Sequence, residues 1–177
     1  MEWRKIPNGQ LNNIKALYEG FSVGLFPKAS GPYCVDQTNY KALQGNAVYQ
    51  AKLLFKDYGG MAMKGEVTEP GMCSYCSALV RKFIDINGGT ANVVCVTTGG
   101  NEHFFVAALT LGNIRFVVDL TCAQFPNGPD YVVCDAYGVE KSVPAAATMG
   151  GESLRLAYKM AITDSGLKKA KKAGAMY

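Results

Sequence analysis

The chain holds one histidine, His103, and one tryptophan, Trp3. A single imidazole means that any reaction needing one as a base has only His103 to use. No apolar run approaches the roughly 18–20 residues of a membrane-spanning helix, so no membrane span is expected. The opening MEWRKIPNGQ has no apolar h-region, and no secretory signal is expected from it. There is no internal repeat and no low-complexity linker. An excess of positive charge is also missing from the body of the chain. The net charge is +4, but Lys168, Lys169, Lys171 and Lys172 stand in the last ten residues, which hold no acid. Without those four, fourteen basic residues balance fourteen acidic ones. A nucleic-acid partner is therefore not indicated, and the basic tail 167–177 reads as a solvated helix end.

What is present is a chain of 177 residues, 49% hydrophobic. That suffices for one domain over 1–177 with a core that needs no metal or disulfide to hold it. Six cysteines stand at 34, 73, 76, 95, 122 and 134. An even count suits a disulfide framework, but such frameworks belong to small, loop-rich secreted chains. Cys95 and Cys134 sit inside the apolar runs ANVVCVTT and DYVVCDAY, where cysteine acts as a small hydrophobe. The set reads as mostly reduced thiols, in keeping with a reducing cytoplasm.

The hydrophobic period changes once along the chain. LNNIKALYEG reads as a short helix ended by Gly20, and FSVGLFPKASGPYC as a loop broken by glycine and proline. A longer helix is expected over Thr38 to Tyr58, stopped by Gly59-Gly60, followed by the connector MAMKGEVTEPG. Leu79, Val80, Phe83 and Ile84 mark one face of a helix from Cys73 to about Ile86, ended by Asn87-Gly88-Gly89. Then come the strand-like runs ANVVCVTT, HFFVAALTL and IRFVVDL, the last two joined at Leu111-Gly112-Asn113 as a hairpin. YVVCDAY is a fourth strand, after the loop AQFPNGPD, and Gly151 to about Gly166 reads as a final helix. Helices followed by a strand meander indicate an α+β fold on an antiparallel sheet.

GMCSYCSALVRKF places two cysteines two residues apart at a helix start. A redox pair needs a buried strand directly before it, and the polar, proline-bearing GEVTEPGM is a poor one. A structural zinc site needs four ligands, usually two close pairs; only one CxxC exists here, so no metal and no cofactor is implied. The third use is a nucleophile. A helix N-terminus lowers a thiol's pKa, and the thiol needs an imidazole oriented by a carboxylate or amide. His103 opens one strand of the expected hairpin and Asp119 closes the other, which puts position 103 opposite 119–121. An acid ending an apolar strand is costly to bury without a partner, and an imidazolium is one. A lone histidine, or an aspartate after a strand, says little by itself. The ordered set Cys, His, Asp says more.

In this order and spacing the chain resembles the papain-like superfamily, in its transglutaminase-like arrangement. The matching segments are GMCSYCSALVRKFIDINGG and HFFVAALTLGNIRFVVDLT, within about 71–125, the expected catalytic core. The family's Gly-x-Cys opening falls on Cys73, its small residue four positions later on Ser77, its apolar face on Val80 and Ile84, and its Asp-x-Thr on Asp119-Leu120-Thr121. Counted from Cys76, the alternative nucleophile, the small position would hold Val80. The resemblance implies Cys73 as nucleophile, His103 as base and Asp119 as orienting group. The backbone of Cys73 would supply one oxyanion donor, and Gln50 is the upstream polar group considered for a second. VVDLTCAQF, which includes Gln124 and Phe125, is similar to papain-fold toxin domains that end bacterial effector proteins. That likeness implies a protein substrate in a target cell's cytoplasm and a cognate immunity protein. It implies a cysteine protease, with a glutamine deamidase or transglutaminase on the same triad as the alternative. A degenerate or zinc-stabilised binding module is the reading from a different class.

Overall fold

Three long runs of alternating and β-branched residues form the centre of the molecule, because a sheet buried on both faces needs apolar side chains at nearly every position. In the computed structural model, which describes residues 1–22, 26–55 and 71–177, these runs are β2 (Thr90–Thr98), β3 (Asn101–Leu109) and β4 (Arg115–Asp119). A short β1 (Glu2–Trp3) flanks β2, and β5 (Val132–Asp135) flanks β4. The sheet is antiparallel throughout, in the order β1-β2-β3-β4-β5. The fold is α+β.

Successive strand residues face opposite ways, and the two faces bury different cores. Val93, Cys95, Phe104, Val106, Phe116 and Val118 point to one face. There they meet α1 (Asn8–Gly20), α2 (Tyr40–Leu54) and α3 (Met72–Ile86). Helix α3 is buried along almost its whole length, through Leu79, Val80, Phe83 and Ile84 among others. Each such fully buried side chain contributes roughly 1.5–3 kcal/mol. The other face presents Val94, Val96, Phe105, Ala107, Val117 and Cys134. It is covered by α4 (Val139–Ser142) and α5 (Leu154–Ala161). The sheet is thus the middle of three layers.

The expected helix after Thr38 begins at Tyr40. Asp36 delays it: its Oδ1 accepts from the Thr38 backbone N–H at 2.8 Å, and Asn39 Oδ1 accepts from Asp36 N–H at 3.0 Å. These side-chain bonds hold a turn in competition with the helix. Tyr58, the stop at Gly59-Gly60 and most of the connector lie outside the described residues. The hairpin at Leu111–Asn113 forms as expected, closed by Thr110 N–H to the Ile114 carbonyl at 3.1 Å.

The final helix differs from expectation. Gly150 and Gly151, with φ of 56° and 83°, make the tight turn between β6 (Thr148–Met149) and β7 (Glu152–Ser153). Positive φ at both central residues is the primed hairpin turn that a Gly-Gly pair favours. A helix therefore cannot begin at Gly151, and α5 starts at Leu154. It ends at Ala161, and a second helix, α6 (Asp164–Lys172), follows. The break is a cap: the Thr163 hydroxyl accepts from the Gly166 N–H at 3.0 Å. The four tail lysines are exposed on α6, a solvated helix end. Beyond them the chain returns to β2. Cys95 N–H donates to the Ala175 carbonyl at 2.9 Å, and Tyr177 N–H to the Val93 carbonyl at 2.8 Å.

Candidate active site

Helix α3 starts where Gly71, in the left-handed region at φ 88°, turns the chain into it. Among the described residues no side chain caps this end. The first-turn N–H groups of a helix have no partner within it, so this end carries partial positive charge next to Cys73. Ser74 and Ser77 do not approach the sulfur through hydrogen bonds. Ser74 donates to the Gly71 carbonyl at 2.9 Å and Ser77 to the Cys73 carbonyl at 2.6 Å. Ser77, the small position of the resemblance, is a buried residue that bonds back along its own helix.

His103 comes from the adjacent layer. It pairs with Val96 on β2 and shares its face of the sheet with Phe105, towards α5. The ladder between β3 and β4 stops at Val106↔Val118, three residues short of His103, and Asp119 pairs instead with Val132 of β5. The two side chains meet at this open end, with His103 Nε2 2.6 Å from Asp119 Oδ2. His103 is fully buried, and Phe125 packs edge-on against its ring at 4.7 Å between centroids.

Asp119 is also buried, and donors engage both of its oxygens. Oδ2 accepts from His103 and from the Tyr158 hydroxyl, at 2.6 Å each. Oδ1 accepts from the Thr121 N–H at 2.9 Å and its hydroxyl at 3.2 Å. Burial alone would raise this carboxyl's pKa, but the His103 charge and these hydrogen bonds outweigh it and hold it below its ordinary value. Burial alone would lower the His103 pKa. The Asp119 charge and hydrogen bond, then the hydrogen bond to Cys73, instead raise it to about 10. Burial first, and then the Asp119 charge, push Tyr158 far above the usual phenol range, so it remains a donor.

Cys73 is therefore the one cysteine whose sulfur contributes to the raised pKa of the imidazole. Nε2 is against Asp119, which leaves Nδ1 as the nitrogen for Cys73. Cys76 lies one turn deeper, 2% exposed against 8% for Cys73. Its thiol pKa is pushed up by burial, and then by the charges of Cys73 and Asp119. All six cysteines are unpaired thiols. Among the described residues no group of three histidine, cysteine or acidic side chains is placed to hold a metal ion, and no helix is long and apolar enough to cross a membrane.

The glutamines sort by helix geometry. Gln44 of α2 donates to the Leu120 carbonyl at 2.8 Å, beside Asp119. Gln50 is six residues further on, about 240° around the helix at ~100° per residue, and takes no part in the hydrogen bonds of His103 or Asp119. Gln124 does. Its Nε2 donates to the Thr121 carbonyl at 2.9 Å and stands 3.4 Å from His103 Nδ1. Sequence reasoning missed Tyr158 entirely, since it lies on α5, outside 71–125.

Comparisons of the chain with family models, with curated proteins and with solved structures find no match.

Proposed function

We propose that the protein is a cysteine-dependent amide hydrolase of papain-like, transglutaminase-like type. The observation that carries this is the fully buried His103, 2.6 Å from the Asp119 carboxylate, with Cys73 at the N-terminus of α3 as the cysteine that adds to its raised pKa. A thiol attacks through its sulfur once its proton has passed to a base, and His103 is the one imidazole available for that role. Cys73 Sγ adds to the substrate carbonyl carbon, and the carbonyl π pair moves to oxygen. His103 then gives its proton to the departing amine as the C–N bond breaks, leaving a thioester. Water, deprotonated by the same imidazole, adds to the thioester and releases the acid and the thiol. Asp119 holds the tautomer and stabilises the imidazolium throughout.

A peptide bond as the substrate amide makes this a protease, the reading we favour. A glutamine side chain makes it a deamidase, or a transglutaminase where an amine replaces water. The likeness of VVDLTCAQF to papain-fold toxins supports a protein target in a cytoplasm and a partner immunity protein that covers the site. The deciding experiment compares Cys73→Ala, Cys76→Ala and His103→Ala in a toxicity or turnover assay. Cys73→Ala and His103→Ala should be inactive and Cys76→Ala active. Full activity of Cys73→Ala would remove the proposal. Mass spectrometry of exposed proteins separates the chemistries: a cut chain, a gain of about one dalton, or a crosslink.

A further inference from the structure

We propose that Gln124 is a catalytic residue, whose side-chain amide donates the second hydrogen bond to the oxyanion formed when Cys73 attacks a carbonyl. This rests on the reading of Cys73 as nucleophile. The first donor in that reading is the backbone N–H of Cys73, which in the first turn of α3 has no partner within the helix.

The orientation of the Gln124 amide is settled by its neighbour. The Thr121 carbonyl is only an acceptor, and at 2.9 Å it requires the nitrogen, not the oxygen, of Gln124. That nitrogen carries two hydrogens, and Thr121 takes one. The other lies on the side of His103 Nδ1, 3.4 Å away, a spacing too long for a strong bond. In the state that precedes attack, both ring nitrogens of His103 are donors, Nε2 to Asp119 and Nδ1 to the sulfur. Nδ1 then cannot accept from Gln124. That amide hydrogen is then released from the ring, beside Nδ1. When the S–C bond forms and the carbonyl pair moves to oxygen, the new charge appears in this neighbourhood and supplies the acceptor.

The amide is also held in place. The backbone that carries it is a single turn of 3-10 helix (Cys122–Gln124), fixed by Gln124 N–H to the Thr121 carbonyl at 3.2 Å and Phe125 N–H to the Cys122 carbonyl at 3.1 Å. Cys122 is fully buried and Phe125 packs on the His103 ring. A donor fixed before the reaction costs no reorganisation during it, which is what makes such groups effective.

The test separates two reactions of the same sulfur. Iodoacetamide alkylates a thiolate by displacement at saturated carbon and builds no oxyanion. p-Nitrophenyl acetate acylates it through a tetrahedral oxyanion and expels p-nitrophenolate. Both rates are measured at Cys73 by peptide mapping, in wild type, Gln124→Ala and Gln124→Glu, the last keeping shape while replacing the donor by an acceptor. In both variants the ratio of acylation to alkylation should fall about tenfold or more. A smaller fall in Gln124→Glu overturns the assignment, as does a parallel loss of both rates, which would mean that Gln124 acts by positioning His103. Failure of wild-type Cys73 to react by either route is a different result, and sinks the nucleophile itself.

Discussion

Tyr158 donates its hydroxyl to Asp119 Oδ2 at 2.6 Å, joining α5 to the end of β4 across thirty-nine residues of chain. The same oxygen serves His103. The tyrosine thus shares the work of keeping a buried carboxylate ionised. Tyr158→Phe removes one charge-assisted hydrogen bond and little volume, so it should destabilise the fold by about 1.5–3 kcal/mol. Urea unfolding at neutral pH measures this, and an unchanged midpoint would show the bond to be idle.

A second prediction concerns the thiols. Burial pushes the pKa of Cys34, Cys76, Cys95, Cys122 and Cys134 upward, whereas Cys73 alone has the imidazole. Brief iodoacetamide treatment of the folded protein at pH 7 should therefore label Cys73 and spare the other five. In His103→Ala the labelling should slow by roughly tenfold or more. Peptide mapping reads both, and preferential labelling of Cys76 would reverse the choice between the two sulfurs.

The pair His103 and Asp119 sets a pH window for stability. The folded pKa of His103 is raised from 6.5 to about 10. Its contribution is thus complete below about pH 6.5 and disappears as pH rises through about 10. Asp119 is depressed below 3.8. Its contribution is complete above roughly that pH and is lost as pH falls through the folded value. Stability from the pair should be greatest between about pH 4 and 6.5, with an alkaline decline that His103→Gln flattens. Thermal melts from pH 4 to 10 check this.

Gly150 touches the neighbouring turn so closely that a Cβ there would meet the Thr98 carbonyl oxygen at 2.6 Å, at a φ of 56°. Gly150→Ala should cost about 1–3 kcal/mol from backbone strain alone, and more from the clash. Gly151→Ala has a similar φ of 83° but meets nothing within 4 Å. It should be the milder of the two in a denaturation series, and equal losses would show that the contact between the turns does not matter.

The parts legible in the sequence are those encoded by local period. Leu79, Val80, Phe83 and Ile84 mark α3 because a helix brings every third and fourth residue to one side, and the hairpin could be folded on paper from its turn. That alone brought His103 to Asp119. What the sequence hid came from elsewhere in space. Tyr158 stands among the apolar residues of α5 and nothing in its spacing points at a carboxylate. The split between α5 and α6 depends on Thr163 capping a helix, in a stretch whose apolar residues continue the period of the one before. Gln50 drew attention by preceding the cysteine in the chain. Gln124 reaches the imidazole because a 3-10 turn folds it back under His103.

Both ends of the chain finish on the outer edge of β2. Trp3 pairs with Val96, Tyr177 with Val93, and Ile6 N–H reaches the Gly174 carbonyl at 3.0 Å. The two segments lie end to end along β2, the first residues opposite Thr97 and Val96 and the last opposite Val94 and Val93, so a pulling force applied across the two ends runs along the strand and loads their bonds in shear. Mechanical unravelling starts at this edge and then runs inward from both ends, through α1 and α2 to Cys73 on one side and through α6 and α5 to Asp119 and His103 on the other, so that β2, which lies between them in the chain, is reached last.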